Sequence, residues 1–185
     1  MRVIKKNLEE VFPKFDIKKL DNLIAKYLSN EDGYEIKKGS LEKHLNWKGE
    51  EYNICVNCKF RKLRHANRRI IEPIYKELMT ELYEATEKRI QIRTFLHYRP
   101  DDFMGWHTNA NAEGERYYLT WAEEDNKSSF NYIDNGKIVE VFDKKGWQVN
   151  CFNIEKDNIL HHSIMSSTNR FSIGMRCGNG YSSTI

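Results

Sequence analysis

Apolar side chains recur at three- and four-residue intervals over residues 17–28, as Ile17, Leu20, Leu23, Ile24, Tyr27 and Leu28. That stripe predicts a packing helix with Asp16 as its N-cap. A second stripe, Ile70, Ile74, Leu78, Leu82 and Ala85, predicts a long helix over about residues 67–88, with Pro73 accommodated near its first turn. Between the two, residues 29–54 carry turn signals at Asn30-Glu31-Asp32-Gly33, Lys38-Gly39-Ser40 and Lys48-Gly49 and define no clear element. From residue 90 the texture changes to short apolar or alternating runs separated by turn residues, the rhythm of an all-β unit. The expected strands are 90–98, 105–109, 116–122, 128–132, 137–142, 147–154, 159–164 and 170–177, with tight turns at Asp134-Asn135-Gly136 and Lys144-Lys145-Gly146. Eight strands is the count of a double-sheet jelly roll. The expected organisation is one α+β domain, 1–185: a mainly helical part at 1–89 packed on a jelly-roll core at 90–177, then a C-terminal tail at 178–185.

Strand alternation decides which polar residues meet. His107 and Asn109 share one face of their strand, with Trp106 and Thr108 on the other. His162 arrives from a later strand. On the last strand Arg170, Ser172, Gly174 and Arg176 face one way while Phe171, Ile173 and Met175 face the other, giving a cationic polar side and an apolar packing side. Neutral imidazoles suit a transition metal, and a guanidinium suits a carboxylate held in a pocket. One histidine on a strand is more often a hydrogen-bonded residue than a ligand, so the combination carries the metal reading. His97 and His161 are expected to face away from the metal, each one residue off the assigned face or register. Trp106, Trp121 and Trp147 read as packing aromatics, with Trp106 near enough to shape a pocket. Arg170 is expected to face the cavity and to be dispensable for folding.

Length and composition set the frame for such a site. A chain of 185 residues buries a core without disulfides or a structural metal. Its mean hydropathy of -0.75 is polar, yet 12% aromatic residues argue against disorder. The net charge of +3 is too mild to imply polyanion binding by the whole chain. Local clustering is confined to Lys59–Arg69, where Lys59, Arg61, Lys62, Arg64, Arg68 and Arg69 could contact phosphates; the acidic residues from Glu72 to Glu87 make a solvated, ion-paired face the simpler account. Cys55 and Cys58 form one CxxC pair, and a four-thiolate zinc site would need Cys151 and Cys177 to join it; small buried thiols are the alternative. No apolar stretch is long enough for a signal peptide or membrane span, so a cytoplasmic chain with free thiols and no membrane partner is expected.

The run Tyr98-Arg99-Pro100-Asp101-Asp102-Phe103-Met104-Gly105-Trp106-His107-Thr108-Asn109, then Leu160-His161-His162-Ser163-Ile164, then Arg170-Phe171-Ser172, resembles the Fe(II)/2-oxoglutarate-dependent dioxygenase superfamily. In that family a Tyr-containing strand leads to a His-x-Asp pair, a later His-x-Val supplies the third iron ligand, and an Arg-x-Ser beyond it holds the co-substrate. The resemblance spans residues 90–177 and implies a double-stranded β-helix with helices before it. It implies Fe(II) held by His107, residue 109 and His162. It also implies 2-oxoglutarate anchored by Arg170 and Ser172, with Tyr98 on the same carboxylate. Arg170-x-Ser172-x-Gly174-x-Arg176 is similar to the Arg-x-Asn-x-Thr-x-Arg signature of the nucleic-acid dealkylating branch, sharing its two arginines and so placing Arg176 with the co-substrate residues.

The implied activity consumes O2 and 2-oxoglutarate, releases succinate, and hydroxylates a protein, nucleic acid or small molecule; the pattern selects neither among these nor an oligomeric state. One residue departs from the family: Asn109 stands where it has a carboxylate, and a neutral amide should weaken metal binding. Asp101, Asp102 or Glu113 could supply the missing charge from adjoining loops. Two other readings therefore stand beside the oxygenase. One is a degenerate jelly roll kept as a binding or structural module. The other is a cupin-like metal enzyme without 2-oxoglutarate, which lacks the close His-x-His pair it would need. The loops at 111–115 and 123–127 are expected to line the substrate pocket.

Overall fold

The computed structural model describes residues 3–30, 33–35, 60–61, 64–66, 68–108, 113–155 and 159–177. Strand β1 is Ile4–Lys6, followed by a one-turn helix α1 at Leu8–Val11 and the amphipathic helix α2 at Ile17–Asn30. Asp16 starts α2, its Oδ1 accepting from the Lys18 amide at 3.0 Å. Short strands β2 (Gly33–Glu35), β3 (Phe60–Arg61) and β4 (Arg64–Ala66) precede the long helix α3 at Arg68–Thr86. The remaining strands are β5 (Ile90–Tyr98), β6 (Phe103–His107), β7 (Gly114–Ala122), β8 (Ser128–Asp134), β9 (Lys137–Phe142), β10 (Gly146–Ile154), β11 (His162–Ser166) and β12 (Arg170–Cys177).

All eight strands expected after residue 90 are present, with some ends shifted by two or three residues. They assemble as two antiparallel sheets facing each other. The larger has the order β1-β10-β7-β12-β5-β4-β2, and the smaller β3-β6-β11-β8-β9. This is the jelly-roll arrangement the strand rhythm implies. The N-terminal part does more than pack: β1 extends the larger sheet beside β10, β4 pairs with β5, and β3 edges the smaller sheet beside β6. Two- and three-residue strands leave too short a pattern to be seen in a sequence. The β8–β9 hairpin closes where its sequence says it should. Asp134 pairs with Lys137, and Asn135 and Gly136 between them have φ of 51° and 73°, the doubly positive pair of a type I′ turn.

Two apolar layers result. On the outer face of the larger sheet, Phe95, Leu119, Val149, Phe171, Ile173 and Met175 pack against Leu20, Leu23, Ile24 and Tyr27 of α2 and Leu78 and Leu82 of α3. Lys19 of α2 forms ion pairs with Glu77, at 2.8 Å, and Glu81 of α3, and the Tyr75 hydroxyl donates to the Ile92 carbonyl. Between the sheets lies the second layer, with Leu96, Tyr98, Phe130, Tyr132, Phe152 and Ile164. The described part of the basic segment forms β3, β4 and the start of α3; Lys59, Lys62, Cys55 and Cys58 lie outside the described residues. Cys151 and Cys177 are free thiols, and burial pushes them up to about 11 and about 12 respectively. No helix among the described residues is long and apolar enough to cross a membrane.

Phe171 is the hub of the outer layer. It is fully buried, with the Tyr27, Phe95, Trp121 and His97 rings around it at centroid distances of 4.4 to 5.8 Å. Phe171→Ala is expected to cost about 3–5 kcal/mol of unfolding free energy, measured by urea denaturation, through lost burial and the cavity left behind. A loss under about 1 kcal/mol would show that the helices are not held through this ring.

Candidate functional site

The inward faces of the two sheets meet in a buried layer, called the chamber below, whose polar residues come from alternate positions. On the larger sheet these stand in rows across the strands: Ala122, Arg170 and Tyr98; then Gln148, Thr120, Ser172 and Leu96; then Asn150, Tyr118, Gly174 and Thr94. Gly174 is needed where it is, because a Cβ there would stand 2.5 Å from Thr94 Oγ1. The smaller sheet contributes His162, Ile164 and Ser166 of β11 beside Tyr132, Phe130 and Ser128 of β8. The chamber thus has two ends, one at His162 and one at Arg170.

His107 and His162 are register partners, with ring centroids 4.0 Å apart. A bulge makes this possible. Ile164 pairs with Met104 and His162 with His107, so two steps on β11 match three on β6. The extra residue lets Met104, packed against the chamber layer, and His107 point inward together, which strict alternation forbids. Each ring is locked by its own backbone. His107 Nδ1 lies 2.7 Å from the Gly105 carbonyl, and His162 Nδ1 lies 3.1 Å from the Leu160 carbonyl. A carbonyl only accepts, so each Nδ1 carries the proton and each Nε2 keeps its lone pair. His162 Nε2 is buried without a hydrogen-bond partner among the described residues.

A lone pair aimed from a backbone-tethered imidazole is the form in which histidine meets a transition metal, so this pair fits one. Phe130 stacks on the His162 ring at 5.0 Å, with Tyr118 and Phe152 around it. That wall desolvates both rings. Burial, partly opposed by the Gly105 carbonyl, takes His107 from 6.5 down to about 4. Burial followed by the charge of His107 takes His162 well below its ordinary value. Both are neutral at pH 7.

Asn109 lies outside the described residues. Among the described residues no His, Cys, Asp or Glu makes a third with the two histidines. Asp101 and Asp102 belong to the turn between β5 and β6, at the Arg170 end: the Asp101 amide donates to Ser166, and the Asp102 carbonyl accepts from it. The buried Asp102 carboxylate is further held by the Arg99 amide at 2.8 Å. Both therefore lie away from the histidine pair. Glu113 is at the histidine end, its carbonyl accepting from Arg176 Nη2 at 3.0 Å.

Arg170 is inward and fully buried. It already has a carboxylate, Asp143, whose Oδ2 accepts from Arg170 Nε at 2.8 Å. Arg170 Nη2 donates to Thr120 Oγ1 at 3.3 Å, the Tyr98 ring lies 5.1 Å from the guanidinium carbon, and Nη1 has no partner among the described residues. That free Nη1 fits a carboxylate placed in the chamber beside Tyr98 and Ser172. Arg176 sits at the other end of β12, paired with Arg116, and so does not converge with Arg170. His97 is on the outer face, stacked on Phe171 at 4.4 Å. Trp121 and Trp147 pack with the outer layer, and Trp106 is buried on β6 next to His107. The loop at 123–127 follows Ala122 and lies at the Arg170 end, where Asn126 and Lys127 line a surface pocket with Asp101, Asp102 and Ser128.

Asp143 is the residue sequence reasoning missed. It follows β9 in a stretch that reads as an ordinary turn, Asp143-Lys144-Lys145-Gly146, and nothing local distinguishes a buried aspartate from a turn aspartate.

No family model and no curated protein matches the chain. Among solved structures it is similar to an oxidoreductase of the 2OG-Fe(II) oxygenase family from Burkholderia pseudomallei. The TM-score is 0.57 at 12% identity, covering 95% of this chain and 84% of that one. It is also similar to OsALKBH1, with a TM-score of 0.50 at 10% identity, covering 95% and 96% of the respective chains. The chain therefore has the double-stranded β-helix fold of 2OG-Fe(II) oxygenases.

Two predictions follow from burial of the charged and titratable groups. The buried pair with Asp143 reverses the expectation for Arg170: Arg170→Ala leaves the Asp143 charge buried without its partner and is expected to cost about 3–5 kcal/mol in urea unfolding. An undiminished midpoint would show that the Arg170–Asp143 pair does not hold the fold. For His107, the unfolded chain takes up a proton near 6.5 and the folded chain only near 4, so between these values the unfolded state binds more protons and stability falls as pH falls. The share of His107 in the loss for the metal-free protein is about 3 kcal/mol by pH 4, with His162 adding in the same direction, read from unfolding midpoints at successive pH values. His107→Gln should flatten the profile; an identical slope in that variant would contradict the assignment.

Proposed function

We propose that the protein is an Fe(II)- and 2-oxoglutarate-dependent oxygenase that hydroxylates a protein, nucleic acid or small-molecule substrate. The proposed catalytic unit is the single domain 1–185 with its core at 90–177. The observation that carries the reading is the inward pair His107 and His162, each with Nδ1 bound to a backbone carbonyl and the ring centroids 4.0 Å apart. In this reading the two Nε2 atoms hold the metal and the residue-109 amide completes the ligand set. When bound, Fe(II) and 2-oxoglutarate supply the oxidising chemistry, with O2 consumed, CO2 and succinate released and one oxygen atom delivered to the substrate.

The chain's own residues do the rest. The Gly105 and Leu160 carbonyls fix the tautomers, and Phe130, Phe152 and Tyr118 keep water from the rings. Arg170 Nη1, Ser172 and Tyr98 receive the distal carboxylate of 2-oxoglutarate. Arg176, at the histidine end beside Glu113, is not assigned to that carboxylate. The free thiols Cys151 and Cys177 suit the cytoplasmic location proposed for the chain.

A second reading, a metal-poor chamber kept for binding, is favoured by Asn109 alone. Anaerobic titration with Fe(II) separates the two. The wild type is expected to bind iron and, with 2-oxoglutarate and O2, to release succinate, whereas His162→Ala retains no iron. Asn109→Asp restores an anionic oxygen at nearly constant volume and should tighten metal binding by about tenfold or more. Iron bound by Asn109→Asp only would support the second reading, and absence of binding by both would remove the metal site.

A further inference from the structure

The Arg170 end of the chamber carries its own counter-charge. Asp143 is fully buried and held by donors from three strands. Its Oδ2 accepts from Ser128 Oγ at 2.7 Å and Arg170 Nε at 2.8 Å, and its Oδ1 from Gln148 Nε2 at 2.7 Å. Gln148 is fixed in turn, its Oε1 accepting from the Lys144 amide at 3.0 Å. The carboxylate therefore cannot swing aside without leaving three donors unsatisfied. From outside the chamber Lys5, whose Nζ bonds the Phe142 carbonyl at 2.6 Å, feels Asp143 and Arg170. Its ammonium is half-buried at the surface, where solvent screens it.

An unpaired guanidinium attracts a ligand carboxylate with its whole charge. A guanidinium 2.8 Å from a fixed carboxylate does not, because in a low dielectric the fixed anion repels the incoming one almost as strongly as the cation attracts it. What remains for a ligand is hydrogen bonding from Nη1, which a neutral tail can largely do without. The geometry points to Asp143 as a specificity-determining residue that cancels the charge of Arg170 and makes the chamber only weakly selective for a distal carboxylate on the 2-oxo acid it binds. This rests on the reading above, that a 2-oxo acid spans from the histidine pair to Arg170.

The test is anaerobic calorimetry on the Fe(II)-loaded full chain with two five-carbon acids, 2-oxoglutarate and 2-oxovalerate, the second carrying a methyl group in place of the distal carboxylate. The wild type should prefer 2-oxoglutarate by less than about tenfold. Asp143→Asn, which keeps an oxygen for Arg170 Nε and removes the charge, should bind 2-oxoglutarate at least about tenfold more tightly than the wild type and 2-oxovalerate almost unchanged. A purely structural role would move both acids together and so overturn the proposal, as would unchanged or weakened 2-oxoglutarate binding. If Asp143→Asn does not fold, the wild-type ratio decides alone: a preference for 2-oxoglutarate above about a hundredfold contradicts the charge cancellation. Binding of neither acid by the iron-loaded wild type would sink both the proposal and the 2-oxo-acid reading, whereas tight and selective 2-oxoglutarate binding would sink only the proposal.

Discussion

The pleat of β12 is the constraint on which the rest of the molecule depends. Held between β5 and β7, it must send Phe171, Ile173 and Met175 to the helices and Arg170 and Ser172 to the chamber. Helix packing therefore fixes the register of the polar face. A one-residue slip would carry Arg170 into the apolar layer and Phe171 into the chamber, and burial on both faces makes that prohibitive. The precision of the polar face is in this sense set by the apolar one.

Inside the chamber, polar groups are tied in two different ways. The histidines are tied to the carbonyls two residues before them, Gly105 and Leu160, which fixes tautomer and direction without adding charge. Arg170 is tied by a charge, Asp143, and through it to Ser128 and Gln148. The first kind of tether leaves an atom ready for a ligand, while the second holds the side chain and also diminishes what it can attract. Preorganisation and attraction are thus separable properties of one site.

Face alternation was legible from the sequence because it needs only the period of the strand. It grouped Arg170 with Ser172 and set Phe171 against them, and the spacing of turn residues gave the eight strands. Three things were not legible. The bulge in β6 changes which of Met104 and His107 face inward; Gly105 inside the strand is its only local cue, and a glycine alone does not say which side chains it re-aims. The strand β1 is three residues long and acquires meaning only against β10. Asp143 looks like turn chemistry and becomes a buried partner only when β8, β10 and β12 converge on it. Each is a property of tertiary convergence, which local pattern does not encode.

The central claim is that His107 and His162 hold a metal ion from within the double-stranded β-helix. X-ray absorption spectroscopy of the Fe(II)-loaded, oxygen-free protein tests it most directly. Scattering from two imidazole rings, with iron–nitrogen distances of about 2.0–2.2 Å, is the predicted result. The imidazole-bound iron signal should be absent from His162→Ala, which retains no iron. Iron coordinated without imidazole, or an unaltered spectrum in His162→Ala, would contradict the account.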